Sequence, residues 1–223
     1  MIPPSRDAAF VAAMETVLDT YADPVDPRTP LICLDETSTT LQTHRRGPAP
    51  MTPGRPARED PEYGRGGSAN LFVAYAPHGG WRHVGIAAHR TAVDWALVMR
   101  ELVDVHFPDA AKLIVVCDNL NIHRLSSLYT TFPADEAHRI ARRLELRFTP
   151  IHGSWLNMAE FEISVLKRQV LAQRLPDQAA LATALAAWTT DRNAVAAPAR
   201  WTFTVTDART HLASLYPIPA WSE

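Results

Sequence analysis

The chain of 223 residues has 47% hydrophobic and 21% charged residues, a balance that is typical of a globular protein and excludes a disordered or fibrous one. Its formal net charge of −2 shows no overall basic character, although residues 139–174 have a local basic excess that either contacts phosphates or forms solvated helix faces. No apolar run approaches the roughly 20 residues that span a bilayer, and residues 1–30 lack an apolar signal region. The sequence therefore predicts a cytoplasmic protein without a membrane partner.

The N-terminal part predicts one helix and one strand. Apolar residues at helical spacing predict an amphipathic helix over residues 5–22, with Ser5 as its N-cap. Residues 30–35, Pro-Leu-Ile-Cys-Leu-Asp, form an apolar run. Such a run predicts a buried strand, and this one ends on Asp35.

Residues 41–68 interrupt the regular pattern. The segment contains prolines, glycines and five arginines. This composition disfavours a buried core and predicts a long, exposed, basic loop. Two interpretations of the loop are open: a basic arm that follows a nucleic-acid backbone, or an insertion that the fold merely tolerates.

A hairpin and a helix come next. Residues 69–77 and 81–88 are strand-like, and His78-Gly79-Gly80 supplies the turn between them. Residues 91–107 predict a crossover helix. Its predicted apolar stripe consists of Val93, Leu97, Val98, Leu102 and Val105.

A second apolar run, residues 112–118, again ends on an aspartate, Asp118. The crossover helix before it predicts that this strand lies parallel to the first, so that Asp35 and Asp118 meet at adjacent strand ends. Two such carboxylates favour a divalent cation, because burying them without a partner is costly. Alternation along the strands places Cys33 and Cys117 on opposite faces, so both thiols are expected to stay reduced.

The C-terminal part is predicted to be mainly helical. Residues 126–143 predict two helical pieces separated at Pro133, and residues 144–149 predict a short strand. Helices are then expected over residues 155–173 and 177–193.

These elements suggest three segments. Residues 1–29 are expected to form an N-terminal helix and linker, and residues 30–193 the main domain. Residues 194–223 are expected to form a tail with a short helix over residues 207–215.

The helix predicted over residues 155–173 carries a third carboxylate. Apolar residues recur along it at positions 156, 159, 163, 166 and 170. Glu160 lies beside this stripe, with Asn157 and Lys167 on the same side. Glu162 is about 200° further round the helix, so the two glutamates cannot serve one site.

Three blocks of residues stand out in order along the chain. They are Leu34-Asp35-Glu36, Cys117-Asp118-Asn119 with His123, and His152-Gly-Ser-Trp-Leu-Asn-Met-Ala-Glu160. Together they resemble the DDE catalytic domain of bacterial insertion-sequence transposases in the mariner-like superfamily. The resemblance implies an α/β, ribonuclease H-like fold, with a five-stranded mixed sheet flanked by helices and its first and fourth strands adjacent. Residues 30–193 would be the DDE catalytic domain.

The resemblance also implies a chemistry. Asp35, Asp118 and Glu160 match the catalytic positions of the family and would bind Mg²⁺ or Mn²⁺, as two ions, for DNA cleavage and strand transfer. DNA and a second copy of the chain, in a homodimer, are the implied partners. The alternative is a catalytically silent transposase remnant that acts in DNA binding or oligomerisation. A structure-specific nuclease on the same fold is a third reading, which the block before Glu160 disfavours.

Two features depart from the family pattern. Asp118 and Glu160 are 42 positions apart, which is longer than is typical of the superfamily. Relatives also carry a helix-turn-helix region before the catalytic domain, whereas only about 30 residues precede Asp35 here. The expectation is an excised catalytic domain or a truncated gene product.

Several other polar residues are expected near the site. His123 could orient a ligand or contact phosphate, and a helix-start or packing role is equally open, whereas His152 either contacts DNA or supports a ligand. Trp155 is expected to anchor the core, while Glu36 and Glu162 are expected to pair with arginines. The candidates for DNA contact are Arg45, Arg46, Asn119, His123, His152, Asn157 and Lys167.

Overall fold

The computed structural model describes residues 7–45, 47, 50–56 and 62–218. Its centre is a five-stranded mixed sheet. The strands are β1 (Leu31–His44), β2 (Tyr63–Ala76), β3 (Trp81–Ala87), β4 (Leu113–Cys117) and β5 (Leu144–Phe148). Their order is β3-β2-β1-β4-β5, in which β1, β2 and β3 pair antiparallel and β1, β4 and β5 pair parallel. The predicted mixed sheet, with its first and fourth strands adjacent, is confirmed.

Helices cover both faces of the sheet. They are α1 (Ala8–Ala22), α2 (Ala92–Glu101), α3 (Leu125–Thr131), α4 (Ala134–Ala141), α5 (Ala159–Leu166), α6 (Gln178–Val195) and α7 (Val205–His211). The π-helical turns Leu102–His106 and Lys167–Leu171 extend α2 and α5. No helix in the described ranges is long and apolar enough to cross a membrane.

The sheet is buried on both faces, which explains the continuous apolar sequence of β4. Val115 and Cys117 pack in the cluster under α2, α3 and α4, whereas Val116 packs in the cluster under α1 and α7. Cys33 belongs to the cluster of Val116. The two free thiols therefore lie on opposite faces, as the alternation predicts.

The first and last described helices complete the same face. Asp7, rather than the predicted Ser5, caps α1 by accepting hydrogen bonds from the N–H groups of the first turn; Ser5 lies outside the described residues. Arg209 of α7 donates two hydrogen bonds to Glu15 of α1, at 2.8 and 3.0 Å. Ala208 is buried in the cluster that α1 forms with the sheet. The tail helix, predicted two residues later, thus packs on the main domain.

The long loop predicted over residues 41–68 is wrong at both ends. β1 continues to His44, β2 begins at Tyr63, and these two residues lie opposite each other in the ladder. A Cβ at Gly66 would meet the backbone oxygen of Pro176 at 2.3 Å. Glycine is therefore required for a close approach to the segment before α6, and composition cannot distinguish this use from a loop.

The buried face of α2 also differs from the prediction. Val93, Leu97 and Val105 of the predicted stripe are 47%, 41% and 65% exposed. Trp95 and Met99 are fully buried instead. The predicted stripe contains only aliphatic residues. The bulkiest side chains instead determine which face of the helix is buried, because they remove the most apolar area from water.

This assignment of the α2 face can be tested by stability. Met99→Ala removes a fully buried side chain and is expected to lower the free energy of unfolding by about 2–5 kcal/mol. Leu97→Ala, at a 41% exposed position of the same helix, is expected to cost less than about 1 kcal/mol. Urea unfolding of both variants measures the difference; equal losses would contradict the assignment.

Candidate active site

The pairing of β1 with β4 brings two acids together. Cys33 lies opposite Val116 in the last pair of the parallel ladder. The same register carried two residues further places Asp35 beside Asp118, which directly follows β4. Asp35 does not end its strand as predicted, because β1 continues in antiparallel pairing with β2, where Asp35 lies opposite Val73.

Asp35 is a strongly perturbed acid. One carboxylate oxygen accepts a hydrogen bond from the N–H of Glu36 at 2.8 Å, and the amide of Asn157 lies 3.4 Å from the other. Burial raises the pKa of Asp35 to about 7; the Glu36 hydrogen bond opposes this rise, and the charges of Glu160, Asp118 and Glu36 add to it. The three predicted catalytic acids therefore lie close enough to repel one another.

Glu160 comes from the first turn of α5, which begins at Ala159, later than predicted. Asn157 sets this start. Its side-chain oxygen accepts a hydrogen bond from the N–H of Ala159 at 3.1 Å, and its amide donates to the carbonyl of Leu34 at 2.8 Å. Asn157 is fully buried, which corrects the prediction that it contacts DNA. Its contacts fasten α5 to β1 beside Asp35.

Tyr21 of α1 also binds the segment that leads into α5. Its hydroxyl donates to the carbonyl of Leu156 at 2.7 Å and accepts from the N–H of Met158 at 3.4 Å. Burial raises the pKa of Tyr21 well above its usual value, so the hydroxyl remains a donor. The sequence indicates Tyr21 only as part of an apolar stripe, because a partner 135 positions away leaves no local signal.

His123 lies between two carboxylates. Its Nε2 is 2.6 Å from an oxygen of Glu36, and its Nδ1 is 2.6 Å from an oxygen of Asp118. Burial disfavours the charged ring, but hydrogen bonds to Asp118, Cys117 and Glu36 outweigh burial and raise the pKa of His123 to about 12. The imidazolium therefore orients Asp118 and compensates Glu36.

Two predictions are corrected by these contacts. Glu36 pairs with His123, not with an arginine. His123 is 1% exposed, so its side chain is not available for DNA contact. Of the roles that the sequence left open for this residue, two agree with its contacts: the ring lies against Asp118, a predicted ligand, and it packs against the ring of Trp95 at 5.9 Å.

The donor set fits hard divalent cations. Carboxylate oxygens are the ligands that Mg²⁺ and Mn²⁺ prefer. Asp35, Glu36, Asp118 and Glu160 supply four carboxylates, against which His123 sets one positive charge. Within the described residues, the three predicted ligands are not gathered with their oxygens all within 4.8 Å of one another.

A cleft of about 250 Å³ opens beside Asp118. Asn119, Thr149 and His152 line it. Asn119 is exposed and accepts a hydrogen bond from Arg124 at 2.6 Å. His152 is exposed and has a positive φ of 66°, which directs this loop around the cleft.

The other candidates for DNA contact lie further from the acids. Lys167 is exposed and lines a polar groove of about 340 Å³ with Ser38 and neighbouring residues of β1. Arg45 is exposed and pairs with Glu62 at 3.3 Å. Arg46 lies outside the described residues.

Three of the four arginines between residues 139 and 147 contact other groups of the chain, and the fourth, Arg142, is exposed. Arg139 donates two hydrogen bonds to Asp104, at 2.6 and 2.8 Å. Arg143 donates to four backbone carbonyls after α2, and Arg147 pairs with Glu145. This part of the basic excess therefore stabilises the fold rather than forming a free phosphate-binding surface.

Glu162 forms the ion pairs expected from the sequence. Its carboxylate lies 3.3 Å from Arg82 and 2.7 Å from Arg192. Arg82 and Glu162 are 1% and 5% exposed, so each depends on the other for charge compensation. Glu160 and Glu162, two positions apart, thus face different surroundings.

Trp155 is not the core anchor that was predicted. It is 42% exposed. Its ring lies 6.4 Å from that of Trp201 and 6.2 Å from that of Phe203. The 3₁₀ turn Ser154–Leu156 shifts the helical phase, so that Leu156 is buried and Trp155 is directed outward.

The fold and its acidic centre define a class of protein. Residues 30–182, more than half of the chain, match the family of DDE superfamily endonucleases. The chain belongs to this superfamily, as its motifs predict. No curated protein sequence matches the chain.

Solved structures show the same fold. The Mos1 mariner paired-end complex with Mn matches with a TM-score of 0.54 and 15% identity, over 86% of this chain and 58% of that one. The Mos1 paired-end complex with Mg matches with a TM-score of 0.55 and 15% identity, over 97% of this chain and 66% of that one. The Mos1 strand transfer complex matches with a TM-score of 0.54 and 16% identity, over 82% of this chain and 53% of that one. The chain thus spans less than two thirds of these transposase chains. The predicted ribonuclease H-like fold is confirmed.

The different roles of the two glutamates on α5 can be separated by mutation. Glu162→Ala leaves the buried guanidinium of Arg82 without its counter-charge and is expected to lower the free energy of unfolding by about 3–5 kcal/mol. Glu160→Ala removes a charge that repels Asp35, so stability is expected to stay within about 0.5 kcal/mol or rise. Denaturant unfolding in EDTA compares the two variants; a large loss in Glu160→Ala would contradict these roles.

Proposed function

We propose that this chain is a transposase catalytic domain that cleaves DNA and transfers strands with the help of Mg²⁺ or Mn²⁺. The observation that carries the proposal is the meeting of Asp35, Asp118 and Glu160 at one side of the sheet: burial raises the pKa of Asp35 to about 7, and the charges of Glu160 and Asp118 add to this rise. Like charges held together in this way favour a partner of opposite charge. The membership of the DDE superfamily supports the same conclusion.

Asp35, Asp118 and Glu160 would hold the ions, and we propose two of them. Two such ions activate an attacking water or hydroxyl and stabilise charge on the leaving oxygen of a phosphodiester. The protein's own residues supply the positioning. Asn157 fixes the helix that carries Glu160, and the His123 imidazolium keeps Asp118 oriented.

DNA is the proposed substrate, and two surface features support it. The cleft lined by Asn119 and His152 adjoins Asp118. Lys167 follows Glu160 by seven positions and lines the groove beside β1, where an ammonium group can contact a backbone phosphate. We also propose that two copies act as a homodimer, since the similar Mos1 structures are paired-end complexes.

The central test is removal of one predicted ligand. Asp118→Asn keeps the size of the side chain but removes its charge, and is expected to lower Mg²⁺- or Mn²⁺-dependent nicking of a supercoiled plasmid by at least about 100-fold. It is also expected to weaken Mn²⁺ binding in calorimetry. Asp191→Asn, at an exposed position of α6, is the matched control and should behave like the wild type.

The silent remnant is the competing function, and this experiment separates the two. A wild-type protein that binds no divalent cation at the acids and nicks no plasmid would support the remnant. Nicking that survives Asp118→Asn would instead point to a contaminating nuclease and overturn the assignment of the site.

The DNA-contact proposal has its own test. The chain has two lysines, Lys112 and Lys167. Lys167→Ala is expected to weaken binding of duplex DNA and to reduce the slope of log affinity against log salt by about 1. Lys112 pairs with Glu145 at the opposite end of the parallel strands, so Lys112→Ala should leave both quantities unchanged. Identical salt dependence of DNA binding in the two variants would show that DNA does not contact Lys167.

A further inference from the structure

A second group of side chains that can bind a metal lies at the edge of the sheet, two strands away from β1. His83 comes from β3, Glu101 ends α2, and His106 ends the π-helical turn that follows. Their ligand atoms all lie within 4.8 Å of one another. Within the described residues, this is the only trio of His, Cys, Asp and Glu side chains that meets so closely.

The distances between the histidine nitrogens and the Glu101 oxygen match the separation of two ligands on one metal ion better than the length of a hydrogen bond. Nε2 of His83 and Nε2 of His106 each lie 3.4 Å from the same oxygen of Glu101. A strong N–H···O hydrogen bond spans about 2.7–3.2 Å, and neither nitrogen has a hydrogen-bond partner although both are buried. Ligands bound to Zn²⁺ at about 2.05 Å with a tetrahedral angle lie about 3.3 Å apart. The observed separations are close to that value.

The π-helical turn makes this arrangement possible. Glu101 and His106 are five positions apart, which on an α-helix would separate them by about 140° around the axis. A π-helical turn joins residues i and i+5, as the hydrogen bond from the N–H of Phe107 to the carbonyl of Leu102 shows at 2.9 Å. The wider turn brings His106 back to the side of Glu101, facing His83.

Aromatic packing holds both imidazole rings in place. The ring of Trp81 lies 6.3 Å from that of His83 at an interplanar angle of 12°, and 5.0 Å from that of His106. The two imidazoles are 4.3 Å apart. An unpartnered buried nitrogen is normally costly. Two of them fixed toward one carboxylate oxygen are accounted for by a shared ligand.

We propose that His83, Glu101 and His106 bind a transition-metal dication, Zn²⁺ foremost. Imidazole nitrogen with one carboxylate is a donor set for Zn²⁺ and its neighbours, whereas Mg²⁺ takes oxygen ligands. The site is thus chemically distinct from the all-carboxylate centre at Asp35. It opens on a groove of about 520 Å³ between β3 and α2, from which a water can complete the coordination. The ion would tie the edge strand to the end of α2.

The test uses the full chain, stripped with EDTA and returned to buffer with millimolar Mg²⁺. Calorimetry with ZnCl₂ is expected to show one tight site, and Co²⁺ to give the visible absorption of a tetrahedral complex. His106→Gln and Glu101→Gln should each weaken Zn²⁺ binding by at least about 100-fold. His89→Gln, an exposed histidine just after β3, is the matched control.

The outcomes separate this site from the proposed catalytic one. Binding of Zn²⁺ that persists in Asp118→Asn but is lost in His106→Gln supports the proposal, whether or not the chain cleaves DNA. Absence of Zn²⁺ binding by the wild type, or unchanged binding in both His106→Gln and Glu101→Gln, would overturn it. Circular dichroism checks whether the variants fold; Glu101 is 42% exposed, so its substitution is not expected to disturb the core.

Discussion

The parallel pairing of β1 with β4 is the constraint on which the site depends. Both strands are buried by helices on their two faces, so the apolar core fixes their register. That register places Asp35 beside Asp118 despite their like charges; burial raises the pKa of Asp35, and the charge of Asp118 adds to the rise. The core therefore supplies the free energy that holds like charges together. An ion that binds there gains from repulsion already present in the fold.

Glu160 and Glu162 of α5 have opposite electrostatic surroundings. Glu162 is enclosed by two arginines, which compensate its negative charge. Glu160 adds to the negative charge at Asp35, where His123 gives only partial compensation. One helix thus carries a structural carboxylate and one for which we propose a function, because a step of two residues turns the side chain to a different environment.

The sequence predicted the elements whose signal is local and missed what depends on distant partners. The apolar runs before Asp35 and Asp118 identified β1 and β4, and the 3.6-residue stripe identified α5. No local pattern reveals that Glu36 meets His123, or that Asn157 bonds to a strand 123 positions away. Gly66 has the local sequence signature of a loop, because the backbone that crowds it belongs to another segment.

The π-helical turns shift the helical phase at the ends of two helices. α2 and α5 both run into such turns, and each adds a residue to the helical cycle. Val170, in the turn after α5, nevertheless stays buried, as the 3.6-residue pattern predicts. The predicted stripe of α2 failed at Val105, which is exposed, while His106 was brought to face β3. Lys167 opens the turn after α5 and lines the groove beside β1. A π-helical turn is less favourable than a regular helix. Both turns redirect a side chain for which we propose a ligand, a metal ion for His106 and DNA for Lys167.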